Sequence, residues 1–257
     1  MTSYKSAHHH RIVNVASQRA PQRPCACCQT RHQPKLYTAQ EALAGCGEHQ
    51  PLTAAEIALF GVTARWLDEL ISRPNPALGR AGDVCPWTRR TLQLGRLFLA
   101  SIPAREESCI DVSVLWLLEE FKALARADGA LDPFRAIVAV FPLLPSESAD
   151  ACIVSAHARL KPSFLRHGLM LGEFYPSCEK PGLRAADFRP LRAPHALLVI
   201  RVMVEADLLF LTDRDEFLDA YLAVFGARGR SQLQQLVEQE PERIPPGREH
   251  ALRARLV

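Results

Sequence analysis

Apolar residues recur at helical spacing in the segment that follows Thr53. The run Thr53-Ala-Ala-Glu56 has the spacing of a capping box, and apolar side chains then recur every three or four residues until Arg73-Pro74. This pattern predicts a helix from Thr53 to Arg73. Similar patterns, begun by Asp111, Ser146 or another polar residue, predict four more helices over 112–127, 146–160, 213–224 and 231–239.

Short runs rich in β-branched and aromatic residues lie between these helices. They predict strands over 136–141, 168–174 and 196–204, and a strand or short buried element over 94–102. The alternation predicts an α+β fold, a single layered domain with a short mixed or antiparallel sheet packed by helices. We place this domain at residues 52–225, between a polar N-terminal tail over 1–51 and a charged, proline-interrupted extension over 226–257, and we expect both extensions to be irregular.

Charge and hydropathy exclude several classes of function. The 257 residues include 31 basic and 28 acidic side chains, so the net charge of +3 provides no large basic field for nucleic acid. The longest apolar stretch, 193–204, contains His195 and Arg201 and is shorter than the roughly 20 residues that span a bilayer. With no apolar leader at the N-terminus, we expect a cytoplasmic protein without a membrane partner. No glycine-rich loop follows a strand, which argues against a dinucleotide or P-loop site.

Eight cysteines are present, which is many for a cytoplasmic chain of this length. A cluster in the tail has the atom types of a zinc site, although its spacing lacks the usual two ligand pairs. Its members are Cys25, Cys27, Cys28 and His32, with Cys46 and His49 as the distant candidates. The alternative is a set of thiols in a polar tail.

The tripeptide Cys85-Pro86-Trp87 follows a loop rich in glycine and proline. A Cys-Pro pair can direct a thiolate at a heme iron, because proline fixes the local backbone and removes a competing amide donor. A buried cysteine at the start of a strand explains the same residues.

Residues 160–192 hold the densest mixture of reactive side chains, in loops beside predicted strands. Each has a simpler structural explanation as well. His167 suits a helix C-terminus, Cys178 a core thiol, and Glu173 a paired surface carboxylate. His195, just beyond, suits a core histidine. We therefore keep both interpretations for each of these residues.

Several runs in this region carry a resemblance. They are Gly-Leu-Met-Leu-Gly-Glu-Phe-Tyr-Pro-Ser-Cys at 168–178, Lys-Pro-Gly-Leu at 180–183 and Phe-Arg-Pro-Leu-Arg-Ala-Pro at 188–194, with Val-Cys-Pro-Trp at 84–87. Over about residues 53–225 the chain resembles a bacterial family of unknown function that is found near natural-product genes. At greater distance it resembles the YqcI/YcgG family and the heme-dependent enzymes that process N-hydroxyarginine in D-cycloserine and graminine biosynthesis. A histidine often follows the Ile-Arg of the fourth strand in that pattern, where this chain has Val202.

The resemblance implies a heme b-dependent oxidoreductase or lyase whose substrate is N-hydroxy-L-arginine or a similar N-oxygenated amino acid. Its reaction would form the N–N bond of a siderophore diazeniumdiolate or release hydroxyurea. The candidate carboxylates for the substrate are Glu173 and Glu179, the candidate iron ligands are His167, Cys178 and His195, and the candidate cofactor-binding residues are Cys85, Trp87, Arg166, Met170, Phe174, Arg192 and Arg201.

Two other classes of function remain open on the sequence. One is a non-catalytic heme or metal sensor or carrier in which Cys85 is a regulatory ligand. The other is a hydrolase or transferase with Cys178 as nucleophile and His167 as base. The sequence also leaves the oligomeric state open, a homodimer included.

Overall fold

A computed structural model of the protein describes residues 33–46, 51–125 and 129–256. Within these ranges one five-stranded sheet is packed between helices, which confirms the predicted α+β class. The strands are β1 Tyr37–Thr38, β2 Leu97–Ser101, β3 Ala136–Val140, β4 Leu169–Phe174 and β5 Leu197–Val202. The α-helices are α1 Ala39–Ala44, α2 Ala54–Trp66, α3 Thr88–Gln93, α4 Glu107–Ala123, α5 Ala149–Leu165, α6 Asp215–Gln239 and α7 Glu249–Arg253.

The sheet is mixed, with strand order β1-β2-β3-β5-β4. β2 and β3 are parallel and are connected through α4, whereas the other neighbouring pairs are antiparallel. In the β4–β5 pair, Met170 lies opposite Arg201 and Glu173 lies opposite Leu198. This register fixes which side chains of the two strands share a face.

The two faces of the sheet are covered by different helices. Helices α4 and α5 pack on one face, over inward residues such as Leu171 and Ile200. Helices α1 and α2 pack on the other face, over residues such as Leu99 and Val138. The sheet interior is apolar on both sides, as expected for a sheet whose two faces are covered. We call these sides the α5 face and the α2 face.

Helix α2 forms as predicted, and its start explains why. The Thr53 side chain accepts a hydrogen bond from the Glu56 amide, and the Glu56 carboxylate accepts one from the Thr53 amide. The helix continues as a π-helical turn, Leu67–Ile71, and the run ends before Pro74.

Part of the segment assigned to the N-terminal tail belongs to the fold. Tyr37 pairs with Leu99 of β2, and α1 begins with a second capping box, formed by Thr38 and Glu41. Ala39 and Ala42 are buried against α2. The expectation of an irregular tail is wrong for this stretch, because a two-residue strand and a six-residue helix carry too little periodicity to be recognised.

The C-terminal extension is also packed rather than irregular. Helix α6 is interrupted at Gly226, whose φ of 54° and ψ of −124° are not helical, so two helical segments meet there at a kink. Beyond the bend, Leu233, Leu236 and Leu252 are buried with residues of the first half of α6. The kink agrees with the helix end that the sequence predicts before Gly226 and with the separate helix that it predicts over 231–239.

Several helix boundaries differ from prediction, and not every helix was predicted. Helix α4 begins at Glu107 instead of Val112, so Asp111 lies inside the helix, where its carboxylate binds Arg159 at 2.9 and 3.1 Å. Helix α5 continues to Leu165 with Pro162 inside it, and α3 was not predicted. None of the helices in the described ranges has the length and apolar character needed to cross a bilayer.

Candidate functional site

Strand alternation divides the predicted site residues between the two faces of the sheet. Along β4, Leu169 and Leu171 enter the core of the α5 face, and Glu173 takes the next position on that side. Met170 and Phe174 point to the opposite side, and Arg201 of β5 lies beside Met170 there. The structure therefore separates the predicted carboxylate from the predicted cofactor-binding side chains.

Glu173 occupies a position where the strand pattern would place an apolar residue. It is 4% exposed. Its Oε1 accepts a hydrogen bond from the Lys180 ammonium, and the Lys180 side chain is itself 50% exposed. Its Oε2 lies 3.5 Å from Nδ1 of His157 and has no hydrogen-bond partner among the described residues. The carboxylate is thus buried and only partly satisfied.

The orientation of His157 is fixed from α5. Its Nε2 lies 2.9 Å from the carbonyl oxygen of Leu171. Since a carbonyl oxygen can only accept, Nε2 must carry the proton, and in the neutral ring Nδ1 is then an acceptor. Burial lowers the pKa of His157, and the attraction of Glu173 opposes this shift. At neutral pH two acceptors, Nδ1 of His157 and Oε2 of Glu173, therefore face each other.

Lys161 also lies near this group, one helical turn after His157 on α5. Its ammonium donates to the carbonyl oxygen of Phe210 at 3.2 Å and lies 4.9 Å from the ring centroid of Phe217. Burial lowers its pKa. Lys161 contributes positive charge near Glu173 while its donors are directed at other partners.

Cys178 is fully buried in the loop after β4. Its amide donates to the Tyr175 carbonyl at 3.2 Å, and its thiol lies near the Tyr175 hydroxyl. Burial and this thiol raise the pKa of Tyr175. A thiol held in this way has the features of a structural core cysteine.

Glu179, the second predicted carboxylate, points to solvent. It forms ion pairs with Arg189 and Arg192, and these two guanidinium groups lower its pKa. Arg192 also donates to the Cys178 carbonyl at 3.1 Å. These three side chains link two parts of the loop between β4 and β5 on its solvent-exposed side.

The α2 face of the β4–β5 pair is less covered than the rest of the sheet. Gly172, Phe174 and Val199 are half-buried there, whereas the central residues of β2 and β3 on the same face are buried, namely Leu97, Leu99, Val138 and Val140. Phe174 packs edge-on against Trp66 with ring centroids 5.7 Å apart, and the free thiol Cys85 packs beside the same apolar cluster. We call this half-open strip, with Arg201 at its end, the Arg201 strip.

Arg201 is already bound within the protein. Its guanidinium makes two hydrogen bonds to the buried Asp207 carboxylate, at 2.5 and 2.7 Å. Asp207 also accepts from the Val204 amide at 2.8 Å. Burial opposes the charge on Arg201, but Asp207 outweighs burial and raises the pKa of the guanidinium. The pair is fully satisfied.

The remaining predicted residues lie apart from both groups. Trp87 packs against Phe134 at 5.6 Å, and Arg166 donates to Ser163 at the end of α5. His167 is exposed in the turn before β4, whereas Cys178 follows the other end of that strand. Because the six residues of β4 span about 20 Å, the predicted pairing of Cys178 with His167 is not formed.

His195 lies at the bend that precedes β5 and is half-buried. Its Nε2 is buried and has no hydrogen-bond partner in the described part of the chain. Burial lowers its pKa, so the ring is neutral and one of its nitrogens is a free acceptor. A neutral imidazole with an unused nitrogen is the form in which histidine binds a metal ion.

Sequence reasoning did not find His157, Lys161 and Lys180. A spacing of four residues puts the first two on one face of α5, which was a usable signal. Lys180 offered no signal, because its contact with Glu173 depends on the path of the loop after β4.

The zinc ligands predicted in the tail lie largely outside the described residues. Of that set only Cys46 is described, and it is exposed and free. Within the described ranges, no three His, Cys, Asp or Glu side chains are grouped as a metal site. The absence of such a group does not test an axial ligand of heme, since a single protein side chain is enough to bind heme iron.

The chain matches a known protein family. The family model DUF6875, described as a domain of unknown function, matches residues 60–236. The matched range begins inside α2 and ends near the end of α6. No curated protein and no solved structure matches the chain.

Proposed function

Because the chain belongs to the DUF6875 family, whose description names no chemistry, we propose a function from its own residues and from its resemblance to enzymes that process N-hydroxyarginine. The proposal is a heme b-dependent enzyme of natural-product biosynthesis, in the broader YqcI/YcgG-like group. It acts on N-hydroxy-L-arginine or a similar N-oxygenated amino acid. The reaction either forms an N–N bond, giving a diazeniumdiolate, or releases hydroxyurea.

The buried, unpartnered Nε2 of His195 is the observation that carries this proposal. A buried polar nitrogen without a hydrogen-bond partner costs about 1–3 kcal/mol, so its presence favours a ligand that uses the nitrogen. Of the three predicted iron ligands, Cys178 is buried against Tyr175 and His167 is exposed to water. His195 is therefore the iron ligand that we propose.

The Arg201 strip supplies suitable surroundings for a porphyrin. Phe174, Val199 and Gly172 offer half-exposed apolar surface, and Trp66 borders it. Cys85 packs at the same border and is the alternative iron ligand. Heme would supply the redox chemistry at the N-hydroxyguanidine group of the substrate, while these residues would hold the porphyrin and exclude water.

Glu173 has no contact with iron in this proposal. It lies on the α5 face, so the sheet separates it from the Arg201 strip. Arg201 is likewise a structural residue here, because Asp207 already balances its charge.

Absorption spectroscopy of the full-length protein tests the proposal. The protein is purified from cells supplied with iron and a heme precursor, and spectra are taken before and after dithionite. N-hydroxy-L-arginine is then added, with L-arginine as the matched compound that lacks the N-oxygen. We expect an intense Soret band that shifts with N-hydroxy-L-arginine alone, and mass spectrometry should detect hydroxyurea or an N-nitroso-hydroxylamine.

Variants identify the ligand. His195→Ala should lose the Soret band or move it, whereas His167→Ala, which changes an exposed histidine, should leave it in place. Cys85→Ser tests the alternative ligand. A colourless protein that also fails to take up hemin would overturn the proposal. If a Soret band is present but N-hydroxy-L-arginine does not shift it and is not turned over, the result would favour a heme carrier or sensor.

A further inference from the structure

The pair formed by Glu173 and His157 has an electrostatic defect that its own neighbours do not repair. Oε2 of Glu173 and Nδ1 of His157 are 3.5 Å apart, and both are acceptors while His157 is neutral. Two facing lone pairs at this distance repel each other unless a donor lies between them. The structure shows no such donor among the described residues.

The surrounding charges do not fill this position. Lys180 binds the other carboxylate oxygen, Oε1, from the side that is open to solvent. Lys161 is directed at the carbonyl oxygen of Phe210. These lysines and Glu173 are the charged groups that act on His157, so the acceptor pair has positive charge nearby but no N–H group in contact.

The geometry selects the chemistry of a ligand. A nitrogen placed about 2.9 Å from each of two acceptors that are 3.5 Å apart can donate one N–H to each. An ammonium or guanidinium group has the required donors, and its charge suits a buried carboxylate. Lys180 is the internal cation that such a group would displace, because half of its side chain is already exposed on a loop.

We propose that Oε2 of Glu173 and Nδ1 of His157 form a binding site for one small organic cation with N–H donors, a primary amine or a guanidine. Lys180 neutralises Glu173 while the site is empty and moves into solvent when the ligand binds. The site lies on the α5 face and does not rest on the heme proposal.

Titration of the full-length, heme-free protein with methylguanidinium tests the site. Tetramethylammonium at equal ionic strength is the control, since it has the same charge and no N–H donor. The readout is the ¹⁵N resonance of His157 Nδ1. We expect a saturable shift with methylguanidinium and none with tetramethylammonium, and amine-reactive labelling of Lys180 should increase when methylguanidinium is bound.

Three variants sharpen this experiment. Lys180→Met removes the internal competitor and should tighten methylguanidinium binding about tenfold. Glu173→Gln should weaken it about tenfold or more, because the new amide donates to Nδ1 and closes the acceptor pair. Lys122→Met, which changes a partly exposed lysine of α4 that pairs with Glu119, should have no effect.

Two results would overturn the proposal. One is a ¹⁵N spectrum showing that Nδ1 already carries a proton at pH 7.5 without ligand, because a shared proton would then bridge the pair. The other is an equal, non-saturable response to both cations in the natural protein and in Lys180→Met. Since no step involves heme, either result leaves the spectroscopic test of the proposed function unaffected.

Discussion

Asp207 and Glu173 are two buried carboxylates on opposite faces of the sheet, and their surroundings differ. Asp207 accepts two hydrogen bonds from Arg201 and one from the Val204 amide. Glu173 has one half-exposed lysine on one oxygen and an acceptor facing the other. Both residues are almost completely buried, at 2% and 4% exposure.

The difference indicates what each carboxylate does. A fully satisfied ion pair tethers β5 to the turn that follows it, and it needs no ligand. A partly satisfied carboxylate in an apolar core position carries a desolvation cost that its contacts do not offset. We interpret the Arg201–Asp207 pair as structural. We interpret Glu173 with His157 and Lys180, here called the Glu173 group, as functional, and stability measurements can separate the two interpretations.

The largest loss of stability is expected when the Arg201–Asp207 ion pair is broken. Asp207→Asn keeps the shape of the side chain but removes the charge that balances Arg201. Breaking a buried ion pair costs about 3–5 kcal/mol, and because 27% of the Arg201 side chain is exposed we expect the lower end, about 3 kcal/mol. Urea denaturation measures the loss, with Asp187→Asn, which changes an exposed aspartate, as the control. A loss similar to that of the control would contradict a structural role.

The Glu173 group should respond in the opposite sense when its carboxylate is removed. Glu173→Met fills a core position with apolar atoms and should leave the free energy of unfolding unchanged or raise it by about 1 kcal/mol or more. Lys180→Met should lower it, since the buried carboxylate then loses its cation. Thermal unfolding with and without methylguanidinium compares the variants, and the ligand should stabilise Lys180→Met most. A large loss in Glu173→Met would mean that the carboxylate is structural after all.

A smaller effect is expected in the pH dependence of the free energy of unfolding. Burial lowers the pKa of His157 and of His195 in the folded protein. The unfolded chain therefore binds protons near pH 6.5 that the folded chain does not, so stability is full above about pH 6.5 and falls as the pH decreases through that value. The limit is about 1.4 kcal/mol per pH unit for each histidine.

Unfolding in urea at several pH values between 7.5 and 5 measures this slope. His195→Phe should reduce it, because one of the two buried imidazoles is gone. His167→Ala should not, since that histidine is exposed. An unchanged slope in His195→Phe would show that this imidazole titrates normally.

Local signals were enough for most of the fold. The Thr53–Glu56 capping box located α2, and short, largely apolar runs located β4 and β5. The short N-terminal strand and helix were missed because they are stabilised by contacts with β2 and α2, which are distant in sequence. Tertiary packing outweighs weak local preference in such segments.

The candidate site was less predictable. Residue type was enough to single out Glu173 and His195, but the surroundings of each side chain depend on residues elsewhere in the chain. His157 reaches Glu173 because α5 folds back along β4, and Lys180 reaches it from a loop. The sequence also grouped Glu173 with Phe174, although consecutive strand residues point to opposite faces.

Strand β1 also determines how the protein can be shortened. Tyr37 and Thr38 cover the outer side of β2, whose residues 97–100 are Leu-Phe-Leu-Ala. A fragment cut at residue 60, where the family match begins, would leave the hydrogen-bonding groups of this apolar strand unpaired. Such edges recruit strands from other molecules, so this fragment should self-associate, whereas one that begins before Leu36 should remain dispersed.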